Sequence, residues 1–165
     1  MSAQIIRRYG DPVLRRPAQA VTVFDAALHA LVADLFDTLD AAPGRAGLAA
    51  PQVGVAARVF VYATAQGRGH VVNPQVTARA GVQTGDEACL SLPGLAFPTP
   101  RAQTVTVTGA DQHGDPVTVT GSGFLARALQ HETDHCDGVL FVDTLTGDPR
   151  RQALRAVRAL FRPGS

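Results

Sequence analysis

A chain of 165 residues, 45% apolar and 18% charged, has the composition of a folded protein with a real core rather than of a disordered segment; residues 1–165 are read as a single domain. The formal net charge of +1 gives no global reason to expect DNA or another polyanion as a partner. No apolar run is long enough to span a bilayer, because the most apolar region, residues 46–65, is broken by Pro51, Gln52 and Arg58.

The opening MSAQIIRRYGDPVL reaches charge, Gly and Pro before any apolar stretch of a signal peptide could form, so a cytoplasmic protein with no membrane partner is expected. Residues 24–40 follow, FDAALHALVADLFDTLD, with Leu28, Leu31, Val32, Leu35, Phe36 and Leu39 at helical spacing and Pro43-Gly44 as the stop. Strand-like runs come next at 57–63, 70–74, 103–109 and 116–121. The last two alternate apolar and polar positions around a turn with Gly114, which predicts a hairpin. Ser122 is placed to cap a helix over 123–136 that ends at Asp137-Gly138, and Asp148-Pro149 starts a last helix. The expected class is α+β: antiparallel strands around a central helix bearing HExxH, with an N-terminal and a C-terminal helix.

That central helix contains H-E-T-D-H at 131–135. His131 and His135 lie one turn apart on one face, where both imidazoles can reach one metal ion. Glu132 projects roughly 100° away, beside the ion, with the length to reach its water as general base. Nothing comparable accompanies His29, His70 or His113, which read as structural or surface residues. In many HExxH proteases a third ligand, His or Glu, lies downstream; after His135 only Asp137, Asp143 and Asp148 remain.

The spare soft ligand is a cysteine, and the chain has two. Cys136 sits roughly 140° around the helix from His131 and is expected to pack with Leu125 and Leu129 instead. Cys89, on a separate segment, is free of that restriction. A site of Cys89, His131 and His135 leaves the fourth tetrahedral position open, as in catalytic rather than structural sites. Such a set accommodates zinc, iron, cobalt or nickel. Only two glutamates occur among fourteen acids, Glu87 and Glu132, and both fall within these motif segments. Glu87 is read as a structural carboxylate that pairs with Arg101 and steadies the Cys89 loop.

Three segments in this order, RAGLAAPQ (45–52), EACLS (87–91) and HETDH (131–135), resemble the motifs of the peptide deformylases, and IIRRYGDPVLRRPAQAV resembles that family's opening. The resemblance implies a metal-dependent hydrolase that removes the formyl group from N-terminal formyl-methionine of new polypeptides. It implies Fe(II) in the cell, with nickel or cobalt as active replacements and zinc often less active. It gives Gln52 and the backbone N–H of Leu90 as donors to the formyl oxygen. Gly47 and Leu48 become a strand edge to which the substrate peptide adds, and Phe124 and Ala128 line the methionine pocket. Two positions depart from the pattern: Arg45 stands for the first glycine, and Ala88, where substrate backbone is expected to run, for the glycine before the cysteine.

Three other readings compete. A general HExxH metalloprotease lacks its downstream ligand here. A binding module with a closed zinc site of Cys89, His131, His135 and Cys136 is disfavoured by helix geometry. An inactive family member is disfavoured by the complete set of ligands and base. The C-terminal stretch 149–162 carries Arg150, Arg151, Arg155, Arg158 and Arg162 and no acid. Leu154, Val157 and Phe161 are expected to dock on the domain; the arginine strip is either a solvated face or a contact with ribosomal RNA.

Overall fold

The structure is a computed structural model, and it describes residues 2–161. The first helix, α1 (Ala26–Asp40), begins where Asp25 accepts a hydrogen bond from the Leu28 N–H at 3.1 Å. It buries Leu28, Val32, Leu35 and Leu39 of the predicted stripe, together with Thr38, while Leu31 and Phe36 are half-buried. Seven strands follow: β1 (Gly47–Ala49), β2 (Val59–Thr64), β3 (Gly67–Ala80), β4 (Gln83–Ala88), β5 (Ala96–Arg101), β6 (Thr104–Ala110) and β7 (Pro116–Ser122). Then come α2 (Gly123–Cys136) and α3 (Gly147–Leu160).

Five strands form one antiparallel sheet in the order β1-β2-β3-β6-β7, so β1 is an edge. The hairpin around Gly114 is present as β6–β7, with Gly114 at φ 88. Helix α2 packs against this sheet and meets β1, β2, β3, β6 and β7. Cys136 is fully buried there in one cluster with Leu125 and Leu129, as the helix geometry requires. Ser122 does occupy the cap position of α2, but its hydroxyl pairs with Thr104 Oγ1 at 2.9 Å instead of capping.

The sequence pattern hid the second sheet, β4 paired antiparallel with β5. Pro98 and Pro100 interrupt β5, which tolerates them because one of its sides is unpaired among the described residues. This sheet delivers Cys89 immediately after β4 and Arg101 at the end of β5. Around it a further cluster joins Cys89, Leu92, Phe141 and Val142 to Val157 of α3. Along α3 the docked positions are Ala153 and Val157, with Leu154 and Phe161 only partly buried. Arg162 lies outside the described residues. No helix among the described residues is long and apolar enough to cross a membrane.

Candidate active site

Helical spacing on α2 and the end of β4 bring three donor side chains together. Cys89 Sγ lies 3.3 Å from His135 Nε2, and the two imidazole Nε2 atoms are 3.2 Å apart. The ligand atoms of Cys89, His131 and His135 all lie within 4.8 Å of one another, and all three residues are buried. Cys136 is outside this group, which leaves no second cysteine to close it.

Glu87 fixes one of the imidazoles. Its Oε2 accepts from His131 Nδ1 at 2.8 Å, which fixes the ring with its Nε2 turned toward His135 Nε2. Two arginines share the same carboxylate: Arg101 donates through Nε and Nη2 at 2.9 and 2.6 Å, and Arg127 through Nη1 at 2.8 Å. Arg101 Nη1 also reaches Asp134 at 2.6 Å. Burial opposes ionisation of Glu87, but hydrogen bonds from Arg101 and His131 outweigh it and hold the carboxyl at about 2. Removing one member of such a buried network leaves an uncompensated charge, at a cost of about 3–5 kcal/mol. The Arg101 pairing was readable in the sequence; that of Arg127 was not. Its one signal was its position four residues before His131, on the same helical stripe.

Glu132 is 3% exposed and its Oε2 has no hydrogen-bond partner among the described residues. Burial, reinforced by the charges of Glu87 and Asp134, pushes its carboxyl up to about 7. Gly47 of β1 packs directly on it: a Cβ at that glycine would lie 2.8 Å from Glu132 Cγ and Oε1. Because Glu132 is buried, it has little freedom to swing aside.

Gln52 is also buried, in a 3-10 turn over Ala50–Val53 that follows β1. Its Oε1 accepts from the Ala49 N–H at 3.0 Å, which turns its amide nitrogen toward Ser91 Oγ at 3.2 Å and Cys89 Sγ at 3.7 Å. These groups open into a cavity of ≈ 780 Å³, whose wall includes Gly47, Gln52, Cys89, Leu90, His131 and Glu132. Ala88, Phe124 and Ala128 line it too. Leu48 is fully buried and is not part of the wall; it contributes only its backbone to the β1 edge. Arg45 lines the cavity and donates to the Thr38 carbonyl, which turns its guanidinium back to the end of α1.

His29, His70 and His113 gather far along the chain from these motifs, at the β6–β7 turn. His29 Nε2 bonds the Gln112 carbonyl at 2.9 Å, and His70 Nε2 accepts from the Gln112 N–H at 3.0 Å. The His113 ring stands edge-on to that of His29. They hold a loop, as expected of structural residues.

The donor set fits one divalent cation, since three converging soft and imidazole donors with one histidine oriented by a carboxylate meet the ordinary requirements of such a site. The polypeptide deformylase family model matches residues 3–151. A peptide deformylase of Acidothermus cellulolyticus is 52% identical over 158 residues, 96% of this chain and 87% of that protein. Peptide deformylase 2 of Streptomyces coelicolor is 51% identical over 90% of this chain and 86% of its own length. The crystal structure of peptide deformylase from Thermus thermophilus superposes with a TM-score of 0.89 at 42% identity, covering 95% of this chain and 94% of that one. That from Legionella pneumophila gives 0.87 at 40% identity, covering 98% and 96%. The chain belongs to the peptide deformylase family.

Proposed function

We propose that Cys89, His131 and His135 hold the metal ion of a deformylase and that Glu132 is its general base, with Fe(II) as the ion in the cell. Removal of the formyl group from the N-terminal formyl-methionine of new polypeptides, by metal-dependent hydrolysis, is the activity of the family to which the chain belongs. The observation that carries the residue assignment is the convergence of three donor atoms within 4.8 Å beside a buried glutamate in a cavity wall.

When bound, the ion supplies a Lewis acid that polarises the formyl oxygen and makes a nearby water more acidic. Glu132 takes a proton from the attacking water and later gives it to the leaving amine. The raised pKa of its carboxyl suits both halves of that shuttle. The amide nitrogen of Gln52, aimed by the Ala49 bond, and the N–H of Leu90 donate to the formyl oxygen as negative charge grows on it. The peptide lies along the β1 edge at Gly47 and Leu48, where main-chain hydrogen bonds accept varied sequences. Its backbone passes Ala88, and Phe124 and Ala128 flank the methionine side chain.

A thiolate with two imidazoles suits iron, and a thiolate-bound ferrous ion would be prone to oxidation. The protein works in the cytoplasm, where nascent chains carry the formyl group, and α3 with Arg151, Arg155 and Arg158 is the face that would meet the ribosome. The test is a formyl-Met-Ala hydrolysis assay on anaerobically purified protein with metal analysis of the same sample. Stoichiometric iron with release of formate supports the reading. Hydrolysis of unformylated casein instead would make the chain a general metalloprotease.

A further inference from the structure

Two cations in the cavity wall have no carboxylate beside them. Arg8 and Arg45 both line the cavity, and neither forms an ion pair among the described residues. The wall's other arginine, Arg127, is committed to Glu87. Of the acids in the wall, Glu87 is paired and Glu132 is buried, so Asp86 on β4 is the one exposed carboxylate there. Arg8 is exposed, whereas Arg45 is half-buried. Arg45 Nη1 donates to the Thr38 carbonyl near the end of α1, and the Thr38 hydroxyl accepts from the Gln4 N–H at 2.8 Å. One buried threonine thus anchors both Arg45 and the N-terminal segment that carries Arg8. Arg45 Nε and Nη2 keep their donors unpaired among the described residues.

The site fixes which way a peptide runs past these groups. Its reacting end lies at Glu132 and Gln52, beside Gly47 and the 3-10 turn that closes the far end of β1. Ala50, Pro51 and Gln52 of that turn are buried, so the rest of the peptide leaves toward the start of β1, antiparallel to it. The ladder continues in that direction, since the Ala46 carbonyl accepts from the Ala63 N–H at 2.9 Å. Opposed residues of an antiparallel pair share a face, and the face repeats every two residues. A Cβ at Gly47 would face Glu132 of α2, and Phe124 and Ala128 of that helix wall the methionine pocket. The first peptide residue and residue 47 therefore share the α2 side. Two steps on, the third peptide residue and Arg45 share it, roughly 7 Å further from the reacting centre. We propose that Arg45, supported by Arg8, makes the enzyme select an acidic side chain at the third residue of its substrate. The inference rests on the deformylase reading and its docking at the β1 edge. The guanidinium fork matches the two oxygens of a carboxylate, and the Thr38 bond has already removed part of the freedom that such a pair would cost. A lysine in the same place meets two like charges.

The test compares formyl-Met-Ala-Glu, formyl-Met-Ala-Gln and formyl-Met-Ala-Lys, all amidated to remove the terminal carboxylate, by kcat/KM on metal-replete wild type, Arg45→Gln and Arg8→Gln. Wild type is expected to favour Glu over Gln by roughly two- to fivefold, the worth of a solvent-exposed ion pair, and to cleave the Lys peptide more slowly than the Gln peptide. Arg45→Gln, which keeps an N–H for Thr38, should bring the Glu-to-Gln ratio close to one, and Arg8→Gln should lower it by less. Reading a ratio within each protein cancels general losses of folding or metal. Raising salt from about 0.01 M to about 1 M should shrink the wild-type ratio. Moving the charge to the second residue, in formyl-Met-Glu-Ala and formyl-Met-Gln-Ala amides, turns it to the other face and should give a smaller ratio. Calorimetric binding of the deformylated Met-Ala-Glu and Met-Ala-Gln amides should follow the same order without catalysis. Equal rates on the Glu and Gln peptides in wild type, an unchanged ratio in Arg45→Gln, or an equal preference at the second residue overturns the inference. Cleavage of all the peptides without regard to charge sinks this inference alone; cleavage of none sinks the deformylase reading with it.

Discussion

Helices α2 and α3 have the same length and both carry strings of charged residues, yet they hold them in opposite ways. On α2, Arg127, His131, Glu132 and His135 are buried, and Arg127 and His131 share the Glu87 carboxylate. On α3 only Ala153 and Val157 are buried; Arg151, Arg155 and Arg158 face solvent, and Arg151 is paired with Asp148 one turn away. Burying charge is expensive unless every group is matched, whereas solvated charge costs almost nothing. The residue types on α2 are therefore dictated by their neighbours and by chemistry, and those on α3 are under no such constraint. A helix that tolerates its charges says less than one that has had to accommodate them.

The sharpest way to break this contrast is at Glu132. Glu132→Gln is expected to retain its metal and lose about 10²–10⁴-fold in deformylation rate, read by formate release beside metal analysis. Near-normal turnover by a metal-loaded variant would remove α2's special status. Next is the pair of cysteines: Cys89→Ser should bind metal far less tightly, while Cys136→Ser should keep both metal and activity. Burial also pushes the Cys136 thiol up to about 12, so an alkylating reagent near neutral pH should leave it unmodified until the protein unfolds. Equal metal loss in the two serine variants would mean that the wrong cysteine has been assigned.

A smaller effect is expected at Glu87, which touches His131 but none of the reacting atoms. Glu87→Gln should weaken metal binding by about 10–100-fold, measured by competition with a chelator. The acid behaviour follows from the sign of the shift. With its folded value at about 2 and an ordinary value of 4.5, the carboxylate stabilises the fold above the ordinary value. That contribution disappears as pH falls through the folded one. Wild type and Glu87→Gln should thus converge in stability between those two values, as followed by denaturant titration of the metal-free proteins. The smallest effect belongs to α3: changing Arg151, Arg155 and Arg158 to Gln should alter stability by less than about 0.5 kcal/mol. If α3 does meet ribosomal RNA, the same variant should lose co-sedimentation at low salt, where phosphate contacts are strongest.

The helices and the pairing of His131 with His135 on one face could be read in the sequence because both are local. Apolar spacing marks α1, and HExxH puts two imidazoles on one face of α2 whatever surrounds it. The β4–β5 sheet could not be read, since Gly85, Pro98 and Pro100 erase the alternation that announces a strand, and pairing with each other is what rescues them. Strand β3 runs from Gly67 to Ala80, well beyond the expected 70–74, through Asn73-Pro74, where Asn73 takes φ 53 and its side chain ties down the Val21 backbone. In α3 the expectation of Leu154 as a docked position gave way to Ala153, one residue earlier along the same helix. Arg127 shows the limit most clearly. Between two alanines in a helix it looks like any surface arginine; its burial depends on Glu87 and on the Thr99 carbonyl, both in the sheet that the pattern concealed.

The contact between Gly47 and Glu132 bears on how this enzyme could escape inhibition. A compound that borrows the β1 edge would be gripped by main-chain atoms, which mutation cannot delete. The usual remedy, growing a side chain to push the compound off, is blocked at residue 47, where even a methyl would drive into the Glu132 carboxylate. Resistance arising at that position would have to displace Glu132 along with the drug, so surviving variants should carry their changes at the outer wall, around Phe124 or Arg45, or in the amount of protein made.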